Sequence, residues 1–151
     1  MKNIFNVRVY GVLVNSRKDV LVTDEFVYSR NITKFPGGGL QFGEGTLDCL
    51  QREFMEELNL QIKVVGHFYT TDFFQASFID PSQQVISIYY LVEPVNEIEL
   101  KTSDKPVDFS GTEEALQSSR WLPLLHASEE DVTFPIDRKV MNMLKHHFSA
   151  L

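Results

Sequence analysis

One cysteine, Cys49, in 151 residues excludes an internal disulfide framework and suits a reducing compartment. No uninterrupted apolar run approaches the roughly 18 residues of a membrane-spanning helix. The first residues, "MKNIFNVRVYGVLV", lack the continuous apolar core and small-residue cleavage site of a signal peptide, so a cytoplasmic protein with no membrane partner is expected. Basic charge is scarce as well. Lys and Arg number 14 against 21 Asp and Glu, a net charge of −7, and no basic run is present to hold a nucleic acid polymer. An acidic chain can still handle an anionic substrate where a divalent cation supplies positive charge locally. Repeats, low-complexity tracts and linkers are also missing, so a single domain over residues 1–151 is expected.

The chain is rich in strand-forming residues. "NVRVYGVLV" (Asn6 to Val14) and "DVLVTDEF" (Asp19 to Phe26), joined by the polar turn "NSRK", read as two strands able to pair as a hairpin. "KFPGGGLQFGEG" (Lys34 to Gly45) holds five of the eight glycines and reads as a loop with close backbone approach. "TLDCLQREFMEEL" reads as a helix whose Leu47, Leu50, Phe54 and Leu58 fall within about 80° of one another and form its buried face. Thr46 is the expected N-cap, and Asn59 suits a left-handed helix end. Strands are expected at Ile62 to Phe78, at Gln84 to Val95 and at "RWLPL", and a last helix at Asp137 to Phe148 with Val140, Met143, Leu144 and Phe148 inward. The fold class expected is α/β, a mixed β-sheet layered with helices.

The helix carries a repulsive cluster. Glu53, Glu56 and Glu57 share one flank, and like charges at these spacings cost a few tenths of a kcal/mol per pair. Arg52, four residues before Glu56, relieves part of that cost. A hard cation such as Mg²⁺, which takes oxygen ligands and is usually shared with substrate phosphates, relieves more. A bare E-x-x-E-E is also common on solvated helices, so the residues upstream matter.

Those residues read Gly38, five residues, Glu44, seven residues, Arg52-Glu53-Phe54, one residue, Glu56-Glu57. The pattern resembles the signature of the Nudix hydrolases, G-x5-E-x7-R-E-U-x-E-E-x-G-U, with U a bulky apolar residue. At residue frequencies of roughly 6%, the six fixed positions would match by chance on the order of once in 10⁵ chains of this size. Asn59 replaces the final Gly, and Asn is the next-best residue for that backbone conformation.

The resemblance implies a Nudix-like α/β/α sandwich and a pyrophosphohydrolase dependent on Mg²⁺ or Mn²⁺. Its implied substrate is a small nucleoside diphosphate derivative: a nucleotide sugar, ADP-ribose, a dinucleoside polyphosphate or a nucleoside triphosphate. By position, Glu53, Glu56 and Glu57 match the family's principal metal ligands, Glu44 an auxiliary ligand or arginine partner, and Arg52 the residue that orients the carboxylates. Gly37, Gly38 and Gly39 would let the backbone pass close to metal or phosphate. The general base is implied to be a helix glutamate or a loop glutamate, with Glu114 and Glu113 as loop candidates and Glu97 and Glu99 behind them. The "TDEF" end of the second strand lacks the arginine many relatives carry there. Relatives are often dimers, so a homodimer is among the allowed partners.

Two rival readings remain at this point: a catalytically idle Nudix-like binding or regulatory domain, and an interaction domain with a solvated acidic helix. Cys49 is expected to serve packing. His67, His146 and His147 have no metal-like spacing, and Phe73, Phe74, Tyr89 and Tyr90 are expected on strands, as packing residues by default.

Overall fold

The computed structural model describes residues 3–96, 100, 102–109 and 116–149. The strands are β1 (Ile4–Leu13), β2 (Asp19–Val27), β3 (Arg30–Lys34), β4 (Gly37–Gly39), β5 (Ile62–Thr70), β6 (Gln83–Pro94) and β7 (Gln117–Pro123), and the helices α1 (Thr46–Leu58) and α2 (Pro135–Ser149). They form two compact units, one of β1 with Pro36–Leu100 and one of Val14–Phe35 with the chain after Leu100. No described helix is long and apolar enough to cross a membrane.

The first unit is a four-stranded mixed sheet in the order β4-β1-β6-β5. Its central ladder is parallel, from Ile4 opposite Gln83 to Leu13 opposite Val92, and β4 pairs antiparallel with β1 as Arg8 to Gly39, Val9 to Gly38 and Tyr10 to Gly37. Helix α1 packs on this sheet through Leu50 and Phe54, both fully buried. The Phe54 ring occupies the space above Gly11, where a Cβ would lie 2.6 Å from it. A glycine in the middle of a strand is here the condition for close helix approach.

Several local expectations change. β1 and β2 do not form a hairpin: β2 belongs to a separate antiparallel sheet, β3-β2-β7, and the turn is closed by an isolated Val14–Val20 bridge and by Asn15 bonding Asp19. The glycine-rich segment contains a real strand, β4, and the polar "RNITK" forms β3. β5 stops at Thr70, so Phe73 and Phe74 lie beyond it and are solvent-exposed, whereas Tyr89 is buried within β6. Thr46 is the first helical residue and Gly45 the N-cap, whose N–H is taken by Asp48 Oδ2 at 3.1 Å. Thr46 Oγ1 instead shares a 2.7 Å hydrogen bond with the Tyr90 phenol. Leu47 is exposed and Cys49 takes its place in the core, because the wheel is rotated toward the sheet by the seat of Phe54. Asn59 does adopt the left-handed conformation (φ 49°), closing α1 with its N–H on the Met55 carbonyl.

The second unit is held by a buried charge network. Asp24, without solvent exposure, accepts from Arg120 Nε at 2.8 Å, from Thr33 Oγ1 at 2.5 Å and from the Val107 N–H at 3.1 Å. Val107 sits at φ 53°, an uncommon angle for a β-branched residue, and Ser103 anchors the same strap by bonding the Ser119 carbonyl. In α2 the buried residues are Ile136, Asp137, Val140, Met141 and Leu144; Met141 stands in the core where Met143 was expected.

Candidate active site

Arg52 of α1 joins two glutamates of its own helix to Glu44 of the preceding loop. Arg52 Nε donates to Glu44 Oε2 at 3.0 Å and its Nη2 to Glu44 Oε1 at 2.7 Å. Arg52 Nη1 bonds Glu53 Oε1 at 2.9 Å and Glu56 Oε2 at 3.2 Å, and Nη2 also reaches the Gly39 carbonyl at 3.2 Å. One guanidinium thus gathers three carboxylates and the end of β4. Planarity and five donors make arginine suited to this, where lysine would offer a single point charge.

The electrostatics follow from those bonds. The Arg52 fork, with the Gln41 N–H behind it, holds Glu44 down to about 2, and Glu44 in turn raises Arg52. Cys49, one turn before Glu53, donates to the Gly39 carbonyl at 3.5 Å. Burial first and the neighbouring Glu44 second push its thiol up to about 12. It is a packing residue, as expected, with no thiolate character near neutrality.

The glycine strand comes close to the carboxylates. A Cβ on Gly38 would lie 2.5 Å from the Glu53 carboxylate, so glycine is what lets Glu53 seat against the β4 backbone. Gly37 lies at φ 148° with a Cβ position 2.1 Å from the Val9 carbonyl, so a side chain there would meet backbone that cannot move aside. Glu57 is half-buried on the same helix, with one carboxylate oxygen out of solvent reach.

The donor set suits a hard divalent cation: it is all carboxylate oxygen, and the bare Gly38 backbone is what lets Glu53 sit against β4. Among the described residues no three His, Cys, Asp or Glu side chains converge into a ligand group, since Arg52 occupies the centre of the cluster. Glu97, Glu99, Glu113 and Glu114 lie outside the described residues. His67 is exposed and bonds Thr70, and His146 and His147 lie exposed on α2, away from any such role.

One residue gave little sign of itself in the sequence. Arg8, the one charge in the apolar alternation of β1, pairs in register with Gly39, and its Nη1 lies 3.5 Å from the Cβ position of that glycine.

The family model for the NUDIX domain matches residues 5–144. The chain therefore belongs to the Nudix hydrolase family, and it is a Nudix-type hydrolase. A comparison with curated proteins yields no match. Among solved structures, MutT from work on Aliivibrio salmonicida and Vibrio cholerae is 18% identical, over 95% of this chain and 99% of its own, with a TM-score of 0.67. The E. coli ORF135 protein is 16% identical over 99% and 94% respectively, with a TM-score of 0.72. An ADP-ribose pyrophosphatase from Streptococcus suis is 14% identical over 96% and 90%, with a TM-score of 0.60. At these identities the likeness is one of fold.

Proposed function

We propose that the chain is a Mg²⁺- or Mn²⁺-dependent pyrophosphohydrolase that cleaves a phosphoanhydride in a small nucleoside diphosphate derivative. The observation that carries this reading is the gathering of Glu44, Glu53 and Glu56 around Arg52 against the Gly38–Gly39 backbone. One arginine against three carboxylates leaves the cluster net negative, a cost that a divalent cation would relieve.

Glu53, Glu56 and Glu57 would hold the metal, with Glu44 as auxiliary ligand or as the partner that fixes Arg52. When bound, the ion neutralises phosphate oxygens and makes water a stronger nucleophile at neutral pH. Arg52 keeps Glu53 and Glu56 at fixed positions through one guanidinium, so their geometry is set before substrate arrives. The bare Gly38 backbone lets Glu53 seat against β4, and the half-exposed Gly39 beside it is where a phosphate would come near. A glutamate takes the proton of the attacking water, either Glu57 or another on the helix or the loop residue Glu114 or its neighbour Glu113.

The test is Glu57→Gln with a panel of ADP-ribose, nucleotide sugars, dinucleoside polyphosphates and nucleoside triphosphates, products being identified by mass. Metal-dependent release of nucleoside monophosphate or phosphate should fall at least a hundredfold. An unchanged rate would remove Glu57 from the site. No turnover of any compound by the wild-type chain, together with tight binding of one of them, would make the domain an idle binder.

A further inference from the structure

We propose that Arg8 is a phosphate-binding residue, and that the substrate passes the outer strand of the four-stranded sheet beside Gly39, one phosphate on Arg8 and the next toward Glu53. The proposal rests on the hydrolase reading above. It starts from strand alternation: successive residues of a strand face opposite sides of the sheet. In β4, Gly38 faces the Glu53 carboxylate, 2.5 Å from its Cβ position, and Gly39 faces the Arg8 guanidinium, 3.5 Å from its own. The anionic cluster of α1 and a cation of β1 thus flank one strand from its two sides.

β4 is the outer strand of its sheet, with β1 as its one neighbour. Gly37 and Gly38 are buried, while Gly39 and Arg8 are half-exposed, so the accessible part of this edge is the part that Arg8 borders. A β-carbon at Gly39 would stand in van der Waals contact with the guanidinium and cover the approach to it. At Gly39 the strand is one backbone thick, its carbonyl held by Arg52 Nη2 and Cys49 Sγ on the α1 side, and a flexible diphosphate passing beside it can place one phosphate toward each face. No other residue type gives an edge that thin.

Arg8 is also fixed for the purpose. Its Nε donates to the Tyr10 phenol at 2.6 Å and its guanidinium carbon lies 5.8 Å from the Tyr10 ring centroid. Tyr10 is in turn stacked on the fully buried Tyr89 at 5.3 Å. With Nε engaged by the phenol, the Nη1 edge is the one turned toward Gly39. A guanidinium held by a phenol whose own ring is stacked in the core loses little rotamer freedom when an anion arrives, and its planar fork matches phosphate. The chemistry also calls for such a cation. On the α1 side of the strand three carboxylates share one arginine.

The experiment is a calorimetric titration with ADP in the presence of Mg²⁺, using the wild-type chain, Arg8→Gln and Arg8→Lys, with melting temperatures as a check on folding. Arg8→Gln is expected to weaken ADP binding about tenfold or more, and Arg8→Lys to recover much of the loss. Wherever the substrate panel gives turnover, KM should rise by a similar factor with kcat within about threefold. If Arg8→Gln fails to fold, Tyr10→Phe, which keeps the stacked ring and removes the phenol that orients Nε, should weaken ADP about threefold. Unchanged ADP affinity in Arg8→Gln overturns the proposal, as does a loss that lysine does not recover at all, or an absence of ADP binding by the wild-type chain. The failure of the hydrolase reading looks different: ADP binding remains sensitive to Arg8 while no compound is turned over.

Discussion

Arg52 and Glu44 are joined by two parallel hydrogen bonds, 3.0 and 2.7 Å long, that tie the loop before α1 to the middle of the helix. The pair sets a pH dependence. Glu44 titrates at about 2 in the folded chain against an ordinary 4.5, so between those values the unfolded chain binds more protons. Stability from this pair is complete above the ordinary value and is lost as pH falls through the folded one. In metal-stripped protein the melting temperature should therefore drop as pH falls from 4.5 toward 2, and Glu44→Gln should drop less over the same window. Thermal scans at four pH values measure both. Parallel profiles for the two proteins would show that the fork contributes nothing.

Gly38→Ala should separate chemistry from stability. Its Cβ would lie 2.5 Å from the Glu53 carboxylate, the far end of a flexible side chain that can swing aside at small cost. Hydrolysis is expected to fall at least about tenfold, with a melting temperature within about 2 °C of wild type. Gly37→Ala should behave in the opposite way, because its Cβ meets backbone at 2.1 Å and the chain has nowhere to move. Full activity in Gly38→Ala would mean that the seat of Glu53 against β4 is irrelevant to turnover.

Cys49 should be inert in the folded chain. It has no solvent exposure and its thiol is pushed up to about 12, so at pH 8 the thiolate that attacks an alkylating reagent is scarce and shielded. Iodoacetamide at pH 8 is expected to label it at least a hundredfold more slowly than in denaturant. Equal rates, followed by intact mass, would contradict the burial.

Asp24→Ala should be the most damaging substitution in the second unit. It strands the buried Arg120 and removes the acceptor that the Val107 N–H and Thr33 use. Breaking a buried pair in this way costs about 3–5 kcal/mol. Denaturant unfolding measures the loss. The double substitution Asp24→Ala with Arg120→Met should recover part of it, since the stranded charge is then gone.

The sequence spoke most clearly where a period and a spacing coincided. Helix α1 was legible from the recurrence of Leu50 and Phe54, its end from Asn59, and the carboxylate set from its offsets to Gly38 and Glu44. The N-cap was placed one residue late, on Thr46 instead of Gly45, and the inner face was misplaced, with Leu47 in place of Cys49, because a wheel gives an angle and the seat of Phe54 over Gly11 decides which neighbour lies beneath. β4 has no side chains from which a pattern could be read. β3 is polar in composition, and its pairing with β2 through Thr33 and Ile32 is a tertiary fact. The hairpin expected of β1 and β2 failed for the same reason: a short polar turn is compatible with pairing, but the partners of β1 lie far along the chain. Arg8 was illegible as a site residue because its relation to Gly39 exists only in the register.

The parallel ladder at the centre of the first unit has a kinetic side. Ile4 opposite Gln83 means that β1 and β6 meet across 79 residues, and the intervening chain includes Val14–Phe35, which belongs to the other unit. Closing so long a loop is entropically costly before any contact rewards it, and parallel pairing of distant strands is intrinsically slow. Helix α1 can form early from its own residues, but its apolar face has no seat until β1 and β6 have joined. The carboxylate-bearing helix is thus expected to dock only after this distant pairing, so refolding rates should follow the joining of β1 with β6 more than the helix's own stability.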